Sequence, residues 1–421
     1  MIYTKKCLVY NYWALAQNGG IETDIYNSAK YMVEHGIRVL WLCTNPDLMA
    51  PSFVDLFKSG KVEIYKLNNK GLNWFKYDDI PFKEDEQTVI VSFSPSGMAF
   101  SISLKQKYSR CNISTYYKVP NTTGSTLFIE RYFPTPLNRI FLHKMSQIIS
   151  KWDANGCLRF FDINHAIAIE KNYRITIDNK EEKRGKGCVL PIDYAPSIVE
   201  NRSKRHTFNI ISVGRFDFPH KNYILGLIDL YSKIKVEFPY ITLTLIGDGT
   251  TKDRNMLLDK INKLSSEHRR DISLIGVVPF AHLSKYFNRA HLSIGVAGGA
   301  FAGLAFGIPT LIARNYSDNG CEVYGYFTND NFPKATSRDP GVDAEPLIRD
   351  VITMSTESYI DLSKKCYETY KIRHSYEPMY FFNIKSNPGA IVSKKDIRLI
   401  KYVTLYSRFV EKFWTLIGKK P

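Results

Sequence analysis

The chain has 421 residues, 44% of them hydrophobic and 14% aromatic, so its length exceeds one ordinary core and its composition excludes global disorder. Lys and Arg outnumber Asp and Glu by 57 to 41, a net charge of +16 that suits anionic partners. No block of Lys and Arg and no nucleic-acid motif accompanies this charge, which favours anionic lipid or phosphorylated small molecules over nucleic acid.

Predicted strands and helices alternate along the first half, which indicates a parallel α/β architecture. A strand over 7–12 leads through a glycine-ended loop into a helix over 21–35, which Gly36 would cap. Further along, the sequence predicts strands over 37–43, 88–93, 113–117 and 188–192 and a helix over 137–149. Residues 156–178 fit both a strand and a helix. The polar, basic stretch 193–206 predicts a linker, which places a domain boundary between 192 and 193.

The second half repeats this alternation. The sequence predicts strands over 208–213, 241–246 and 272–275 and helices over 222–237, 253–265, 279–290, 346–371 and 393–418. Residues 292–313 carry no charge, and a membrane span is one interpretation of them. Five glycines and Pro309 interrupt this segment, which favours a buried strand, a glycine loop, a short helix, a turn and a second buried strand.

The seven cysteines are scattered along the chain without a C-x-x-C pair. An odd, dispersed set favours a reducing cytoplasm over a disulfide framework. The first residues, MIYTKKCLVYNYW, lack the long apolar run of a signal peptide. We therefore expect a cytoplasmic protein.

The most informative stretch is FNIISVGRFDFPHKN, residues 208–222. An apolar, β-branched strand ends at Gly214, Arg215 follows at once, and Lys221 comes six residues later, before a helix. A buried parallel strand that ends in a glycine turn and presents two cations at its carboxyl end is a place to hold a diphosphate. The alternatives are a solvated pair of cations or a salt bridge from Arg215 to Asp217.

Six short motifs in chain order resemble those of family-four glycosyltransferases, which are retaining, nucleotide-sugar-dependent enzymes of the GT-B type. They are Asn18-Gly19-Gly20-Ile21-Glu22, Val189-Leu190-Pro191, Ser212-Val213-Gly214-Arg215 with Lys221, Leu245-Ile246-Gly247-Asp248-Gly249, Leu274-Ile275-Gly276-Val277-Val278-Pro279 and Ala305-Phe306-Gly307-Ile308-Pro309. The resemblance implies an α/β fold with two Rossmann-like parallel domains that face each other across a cleft. It assigns residues 1–192 to the acceptor side, residues 193–385 to the nucleotide sugar, and residues 386–421 to a basic amphipathic helix that crosses back to the first domain.

The chain departs from this family at several positions. The family usually carries two glutamates, eight positions apart, that hold the sugar and the nucleotide ribose; Ile294 and Ala302 stand there instead. Tyr117-Lys118 stands where many members have a histidine at the end of a strand of the first domain. Glu322 follows Asn319-Gly320, roughly where the family often has a glutamate, and is assigned to the nucleotide-sugar site.

The resemblance implies a transfer in which a nucleoside diphosphate leaves the sugar. Negative charge grows on the leaving phosphate, so cations placed there stabilise the transition state. We assign catalytic roles to Arg215, which can donate two parallel hydrogen bonds to phosphate, and to Lys221, which acts as a point charge. Retention implies attack on the face of the leaving group, with the leaving phosphate accepting the acceptor's proton and no protein nucleophile. No D-x-D motif and no metal-ligand spacing of His occurs, so we expect neither a metal ion nor another cofactor.

Small residues at strand ends and helix starts are the expected contacts of the nucleotide sugar, because backbone amides without side chains can approach an anion closely. They are Gly19, Gly20, Gly214, Gly247, Gly276, Val277, Ala297, Gly298, Gly299 and Ala300, together with Glu322. The alternatives are an ordinary turn at Gly20, close packing of small residues at 297–300 and a plain strand end at Gly276. We interpret Asp248 as a turn residue and His220 as a surface residue.

The last helix combines an apolar stripe with basic residues. The stripe is Leu399, Tyr402, Tyr406, Phe409, Phe413 and Ile417, and the cations are Lys394, Lys395, Arg398, Lys401, Arg408, Lys412, Lys419 and Lys420. Packing of the stripe on the first domain, which the resemblance implies, is favoured over contact with an anionic membrane, and the basic face stays free to meet lipid.

We interpret the chain as a GT-B glycosyltransferase that moves a sugar from a nucleotide sugar to a saccharide or lipid-linked saccharide, with retention, in surface polysaccharide (O-antigen or capsule) biosynthesis. We expect it in the cytoplasm and on the inner face of the plasma membrane. The first rival is a non-catalytic relative that acts as a partner subunit, motivated by the missing glutamates. The second is a sugar-nucleotide 2-epimerase. That class needs acid/base carboxylates and a histidine around the sugar, and the sequence shows no recognisable set of them. A nucleic-acid-binding module is the third.

Overall fold

The chain forms two compact units, Met1–Cys188 with Glu377–Pro421 (unit one) and Val189–Tyr376 (unit two). The computed structural model describes residues 5–16, 20–67, 79–119, 135–160, 163–183, 199, 207–279, 282–317, 320–330, 340–374, 380–383 and 393–416. The predicted boundary at 192/193 and the predicted strand 188–192 lie outside the described residues.

Unit one begins with alternating strands and helices. They are β1 (Lys5–Asn11), α1 (Gly20–Glu34), β2 (Arg38–Cys43), α2 (Val54–Phe57), β3 (Glu63–Lys66), β4 (Glu86–Ser92), α3 (Pro95–Lys107), β5 (Asn112–Val119), α4 (Thr135–Ala154), β6 (Leu158–Phe160), α5 (Ile163–Tyr173) and α6 (Lys180–Lys183). The strands form a parallel sheet in the order β3-β2-β1-β4-β5-β6. This is the strand order of Rossmann domains, which bind ligands at the carboxyl ends of their strands.

Unit two repeats this order around its own sheet. Its elements are β7 (Phe208–Val213), α7 (Tyr223–Lys235), β8 (Ile241–Ile246), α8 (Thr251–Asn262), α9 (Ser266–Arg270), β9 (Ile272–Ile275), α10 (Ser284–Phe287), β10 (Leu292–Gly295), α11 (Gly298–Ala305), β11 (Thr310–Ala313), β12 (Glu322–Tyr326), β13 (Val342–Asp343), α12 (Glu345–Thr353) and α13 (Thr356–His374). The sheet order is β13-β12-β11-β10-β7-β8-β9.

The edge of the second sheet differs from the wholly parallel sheet that the sequence predicts. Strands β11, β10, β7, β8 and β9 pair in parallel, but β12 pairs antiparallel with β11, and β13 pairs antiparallel with β12. The connection 314–321 between β11 and β12 is too short for a crossover helix, so the chain turns back on itself.

The uncharged segment 292–313 folds as β10, α11 and β11, as the sequence predicts. A Cβ at Gly303 would lie 2.5 Å from both Ser293 Oγ and Thr310 Oγ1, so α11 packs directly on the two strands. Within the part of the chain that the structure describes, none of the helices has the length and apolarity needed to span a membrane.

The predicted helix 346–371 is divided into α12 and α13. Ser355 lies between them, and its Oγ accepts a hydrogen bond from Ser358 N–H at 3.2 Å, which caps the start of α13. Helix α10 is a single turn, shorter than the predicted helix 279–290, because a turn that joins His282 N–H to Pro279 O precedes it.

The chain returns to unit one through α14 (Tyr380–Asn383) and α15 (Lys394–Leu416). Ile400 and Val403 of α15 are buried in one apolar cluster with residues of α3 and α4. Lys395, Arg398 and Tyr402 of the same helix are exposed. The predicted apolar stripe is therefore wrong at Tyr402, because the buried face of α15 is centred on Ile400 and Val403 instead.

Gly226 lies in the first turn of α7 against the main chain of the loop 314–321. A Cβ there would lie 2.1 Å from the carbonyl carbon of Gly320 and 2.4 Å from Cys321 N. Alanine gains about 1 kcal/mol of helix propensity over glycine, but overlap with rigid backbone costs about 1–3 kcal/mol or more. Because three main-chain atoms lie within 2.5 Å of that Cβ, the upper end of this cost applies, and we expect Gly226→Ala to lower the free energy of unfolding by about 2 kcal/mol in urea denaturation.

Gly20→Ala is the matched control, since Gly20 also lies in a first helical turn and a Cβ there would meet nothing within 4 Å. It should leave the free energy of unfolding unchanged or raise it slightly. Equal stability of Gly226→Ala and the unchanged protein would contradict this close contact.

Candidate functional site

Main-chain atoms of several glycines and the ammonium group of Lys221 lie close together at the carboxyl end of β7. A Cβ at Gly214 would lie 2.8 Å from Lys221 Nζ, so the ammonium lies directly over this glycine. A Cβ at Gly247, after β8, would lie 1.9 Å from Gly214 O, and a Cβ at Gly299, in α11, would lie 2.0 Å from Val213 O. The structure therefore brings four predicted site residues together around the end of one strand.

Lys221 keeps its ammonium in a largely buried position. Burial and, secondarily, the nearby guanidinium of Arg215 lower the pKa of Lys221 to about 8, against an opposing effect of Asp217. Among the described residues, no carboxylate lies within ion-pair distance of this ammonium. A desolvated cation in this state gains strongly from an incoming anion.

Arg215 is the more exposed of the two cations, with 59% of its side chain accessible. Its Nη2 donates to Asp217 Oδ2 at 2.9 Å, which is the salt bridge that the sequence offers as an alternative. An exposed pair of this kind contributes about 0–1 kcal/mol. A doubly charged diphosphate can therefore draw the guanidinium away from Asp217 at little cost.

His220 joins the loop after β7 to the loop after β11. Its Nδ1 lies 3.7 Å from Asp217 Oδ2, and its ring centroid lies 5.0 Å from that of Tyr316. Burial and then Lys221 lower the pKa of His220 below its ordinary value, so its ring is neutral at pH 7. This aromatic pair was not predictable from the sequence, because no local pattern links positions 220 and 316.

The two glycines at the start of α11 differ in their surroundings: Gly298 has open space beside it, and Gly299 packs against main chain. Ala297 and Gly298 are exposed, whereas Ala300 is buried. Ala297 has a φ of 46°, in the left-handed region that a residue with a Cβ rarely adopts. A Cβ at Gly298 would meet nothing within 4 Å. Close packing therefore accounts for Gly299, and Gly298 stays the predicted anion contact.

The predicted base-binding residues lie at the same edge of the sheet, two strands from β7. Gly247 N–H donates to Ile275 O at 3.0 Å, which joins the ends of β8 and β9. Gly276 follows, where an added Cβ would meet nothing within 4 Å, and Val277 is exposed. Both are accessible at the carboxyl edge of unit two.

Glu322 begins β12, and its carboxylate is already engaged. Arg314 Nη1 donates to Glu322 Oε2, and Ser317 Oγ lies 3.3 Å from the same oxygen. The side chain borders an open groove of about 430 Å³ that Lys233 and Asp343 also line. Contact between Glu322 and a nucleotide sugar stays a prediction.

The two positions at which the resembling family carries glutamates are core positions here. Ile294 of β10 and Ala302 of α11 are 0% and 2% exposed, each inside an apolar cluster. Neither position presents a polar group to a ligand.

In unit one, Gly20 is exposed as the first residue of α1, and Gly19 lies outside the described residues. Glu22 is buried, and its Oε1 accepts a hydrogen bond from the Tyr12 hydroxyl at 2.9 Å. The ligand-binding role of both glycines stays a prediction.

Lys118, near the end of β5, stands where the family often has a histidine. It is almost fully buried, and its Nζ donates to both carboxylate oxygens of Asp24 at 2.9 and 2.8 Å. Its ammonium also lies 5.8 Å from the ring centroid of Phe381. The ion pair ties β5 to α1 within unit one.

Solved structures of low sequence identity share this fold. HepE from Anabaena, in complex with UDP and glucose, aligns over 90% of this chain and 97% of its own, with a TM-score of 0.54 and 13% identity. A glycosyltransferase from Rickettsia africae ESF-5 aligns over 96% and 99%, with a TM-score of 0.52 and 14% identity. OtsA in its apo form aligns over 93% and 100%, with a TM-score of 0.50 and 13% identity.

No family model matches the chain, and no curated protein sequence matches it. The strand orders of the two sheets and these structural neighbours agree on the fold. The chain has the two-domain, Rossmann-like α/β architecture of GT-B proteins, and the predicted fold class is confirmed.

Proposed function

We propose that this chain is a glycosyltransferase that moves a sugar from a nucleotide sugar to a saccharide or lipid-linked saccharide, with retention of configuration. The observation that carries the proposal is the Lys221 ammonium over Gly214, beside Arg215, at the carboxyl end of β7. In a sheet of this order, the carboxyl end of the first strand borders the crevice in which ligands bind. The presence of UDP and glucose in HepE supports a nucleotide sugar as the donor class.

The proposed reaction breaks the bond between the anomeric carbon and the diphosphate oxygen. The electron pair stays on that oxygen, where Lys221 and Arg215 stabilise the added charge. The acceptor hydroxyl forms the new bond to the anomeric carbon from the same face, and its proton passes to the leaving phosphate. These reaction steps require neither a nucleophile nor a base from the protein.

A thermal-shift panel of nucleoside diphosphates and nucleotide sugars tests the donor site. A ligand at a hundredfold excess over its dissociation constant stabilises the folded protein by about 2.7 kcal/mol, so a binding nucleotide raises the melting temperature. Transfer to saccharide acceptors is then followed by mass spectrometry with the stabilising donor. Absence of a shift with every nucleotide would contradict the proposal.

The pH dependence of nucleotide binding should report on Lys221. Below pH 8 its ammonium is charged, and above pH 8 the free protein must take up a proton to bind a diphosphate. We expect the affinity for nucleoside diphosphate to fall about tenfold per pH unit above pH 8 in calorimetric titrations. Lys221→Arg, which stays charged, should remove this dependence; an unchanged slope in that variant would contradict the role of Lys221.

The same site supports a second candidate, a non-catalytic relative that binds nucleotide sugars and acts as a partner subunit. Its support is the burial of Ile294 and Ala302, which leaves no carboxylate at the positions of the family glutamates. Tight nucleotide binding without transfer or donor hydrolysis, measured by mass spectrometry, would favour this candidate.

We further propose that the acceptor belongs to a surface polysaccharide, O-antigen or capsule, and that the protein works in the cytoplasm against an anionic membrane. The exposed Lys395, Arg398 and Tyr402 of α15 support contact with acidic lipid. Sedimentation with vesicles that contain phosphatidylglycerol, but not with pure phosphatidylcholine vesicles, is the expected result.

A further inference from the structure

An exposed tyrosine stands beside the two cations of unit two. Tyr316, in the loop 314–321, has 58% of its surface accessible. Its N–H donates to His220 O at 2.8 Å, and the two rings lie 5.0 Å apart at an angle of 49°. Because His220 directly precedes Lys221, this aromatic pair borders the candidate diphosphate site.

The loop that carries Tyr316 is held from several sides. Ser317 Oγ donates to Gly320 O at 2.7 Å, and Gly226 of α7 packs against the Gly320 main chain. Tyr316 itself has a φ of 53°, a left-handed conformation that costs a residue with a Cβ about 1 kcal/mol or more. A well-supported backbone that keeps a large ring in solvent, in an unfavourable conformation, points to a ligand.

The order of the strands decides which part of a nucleotide sugar can reach this ring. Across the sheet, β11 and β9 lie on opposite sides of β7. Gly276 and Val277, the predicted base contacts, follow β9, whereas Tyr316 follows β11. A nucleotide sugar is a linear molecule with its diphosphate between base and sugar. With the diphosphate at Lys221 and the base near β9, the sugar extends towards Tyr316.

The sugar needs a partner other than the two family glutamates, because Ile294 and Ala302 are buried in the core. One face of a pyranose ring presents mainly C–H groups. An aromatic side chain can cover that face by apolar contact without supplying a charge. The uncharged ring of His220 beside Tyr316 extends the aromatic surface.

We propose that Tyr316, supported by His220, stacks on the pyranose ring of the donor and determines which sugars are accepted. The proposal rests on the proposed function, since it takes the diphosphate at Lys221 and Arg215 as given. A stacked ring requires a sugar with a continuous C–H face, and the tyrosine hydroxyl is not needed.

Paired calorimetric titrations test this role. UDP with UDP-glucose and GDP with GDP-mannose are titrated into the unchanged protein, and the pair that binds is carried to the variants. For Tyr316→Ala we expect unchanged affinity for the nucleoside diphosphate and about tenfold weaker binding of the nucleotide sugar. Tyr316→Phe should retain both affinities.

Tyr240→Ala is the control, because Tyr240 is also exposed but precedes β8 at the opposite edge of the sheet. Both of its affinities should be unchanged. Equal weakening of both ligands by Tyr316→Ala, no weakening of either, or a loss in Tyr316→Phe as large as in Tyr316→Ala would each overturn stacking. Failure of the unchanged protein to bind any nucleotide of the thermal-shift panel would instead refute the donor site itself, so the two failures are distinguishable.

Discussion

Replacing Lys221 by methionine is expected to remove most glycosyl transfer and, at the same time, to stabilise the protein at neutral pH. The loss of one charged donor to the leaving diphosphate costs about 3–4 kcal/mol of barrier, or about 10²–10³ in rate. The gain in stability has a separate cause, which is the burial of the ammonium over Gly214.

The sign of the stability change follows from the pKa of Lys221. The folded-state pKa of about 8 lies below the ordinary value of 10.5, so the unfolded chain holds the extra proton between these values. The free energy of unfolding therefore rises with pH across that window, and the full penalty applies below pH 8. A shift of this size corresponds to roughly 3 kcal/mol. Lys221→Met should remove this penalty and flatten the pH dependence.

Denaturant unfolding near pH 7 and near pH 10 measures the change in the free energy of unfolding. Rates of glycosyl transfer measure the loss of activity. Arg215→Ala should lose transfer to a similar extent with only a small part of the gain in stability, since burial is the larger cause of the lowered pKa of Lys221 and the lost pair with Asp217 is exposed. Lys5→Met in β1 is the control, because Lys5 is exposed and paired with the exposed Asp85 in unit one, and it should change neither quantity much. Full transfer by Lys221→Met, or a less stable variant, would be incompatible with the site.

The strands that lead to the site were predictable because each is an apolar run that ends at a glycine. β7, β8 and β9 begin and end at the predicted residues, and the loop after β7 carries both cations within a few positions. Local sequence is enough where strand, turn and cation follow one another directly.

Helix α3 escaped prediction because burial on most of its sides removes the polar face that periodicity needs. Met98, Ala99, Phe100 and Ile102 are all buried. The signal that could have revealed it is its start, where Ser94 Oγ accepts a hydrogen bond from Gly97 N–H at 3.0 Å and Pro95 follows the cap.

The site was only partly predictable, since several of its contacts join distant positions. Gly299 meets Val213 and Tyr316 meets His220 only because β10 lies beside β7 in the sheet and β11 lies next to β10. Burial at Ile294 and Ala302 likewise depends on tertiary packing. The sequence alone shows that the two glutamates are missing. Only the fold shows that both positions are buried in the core.

The partner of Lys118, which stands where the family often has a histidine, was also not predictable without the fold. Strand β5 brings Lys118 beside α1, where Asp24 lies 4% exposed on the first helix. Two charges withdrawn from water gain little net stability as a pair, because desolvation offsets most of their attraction. The removal of one partner, however, leaves the other buried and uncompensated.

Loss of either partner of this pair is therefore expected to be among the most destabilising single changes in unit one. Lys118→Met should lower the free energy of unfolding by about 3–5 kcal/mol, because Asp24 stays buried without its cation. Lys118→Met combined with Asp24→Leu should recover most of that loss, since both charges are gone and the methionine can pack near Phe381. Lys5→Met, which breaks the exposed Lys5–Asp85 pair, is the control and should cost less than about 1 kcal/mol. Urea denaturation of the four proteins measures this recovery, and a double variant no more stable than Lys118→Met would show that the pair contributes through more than its charges.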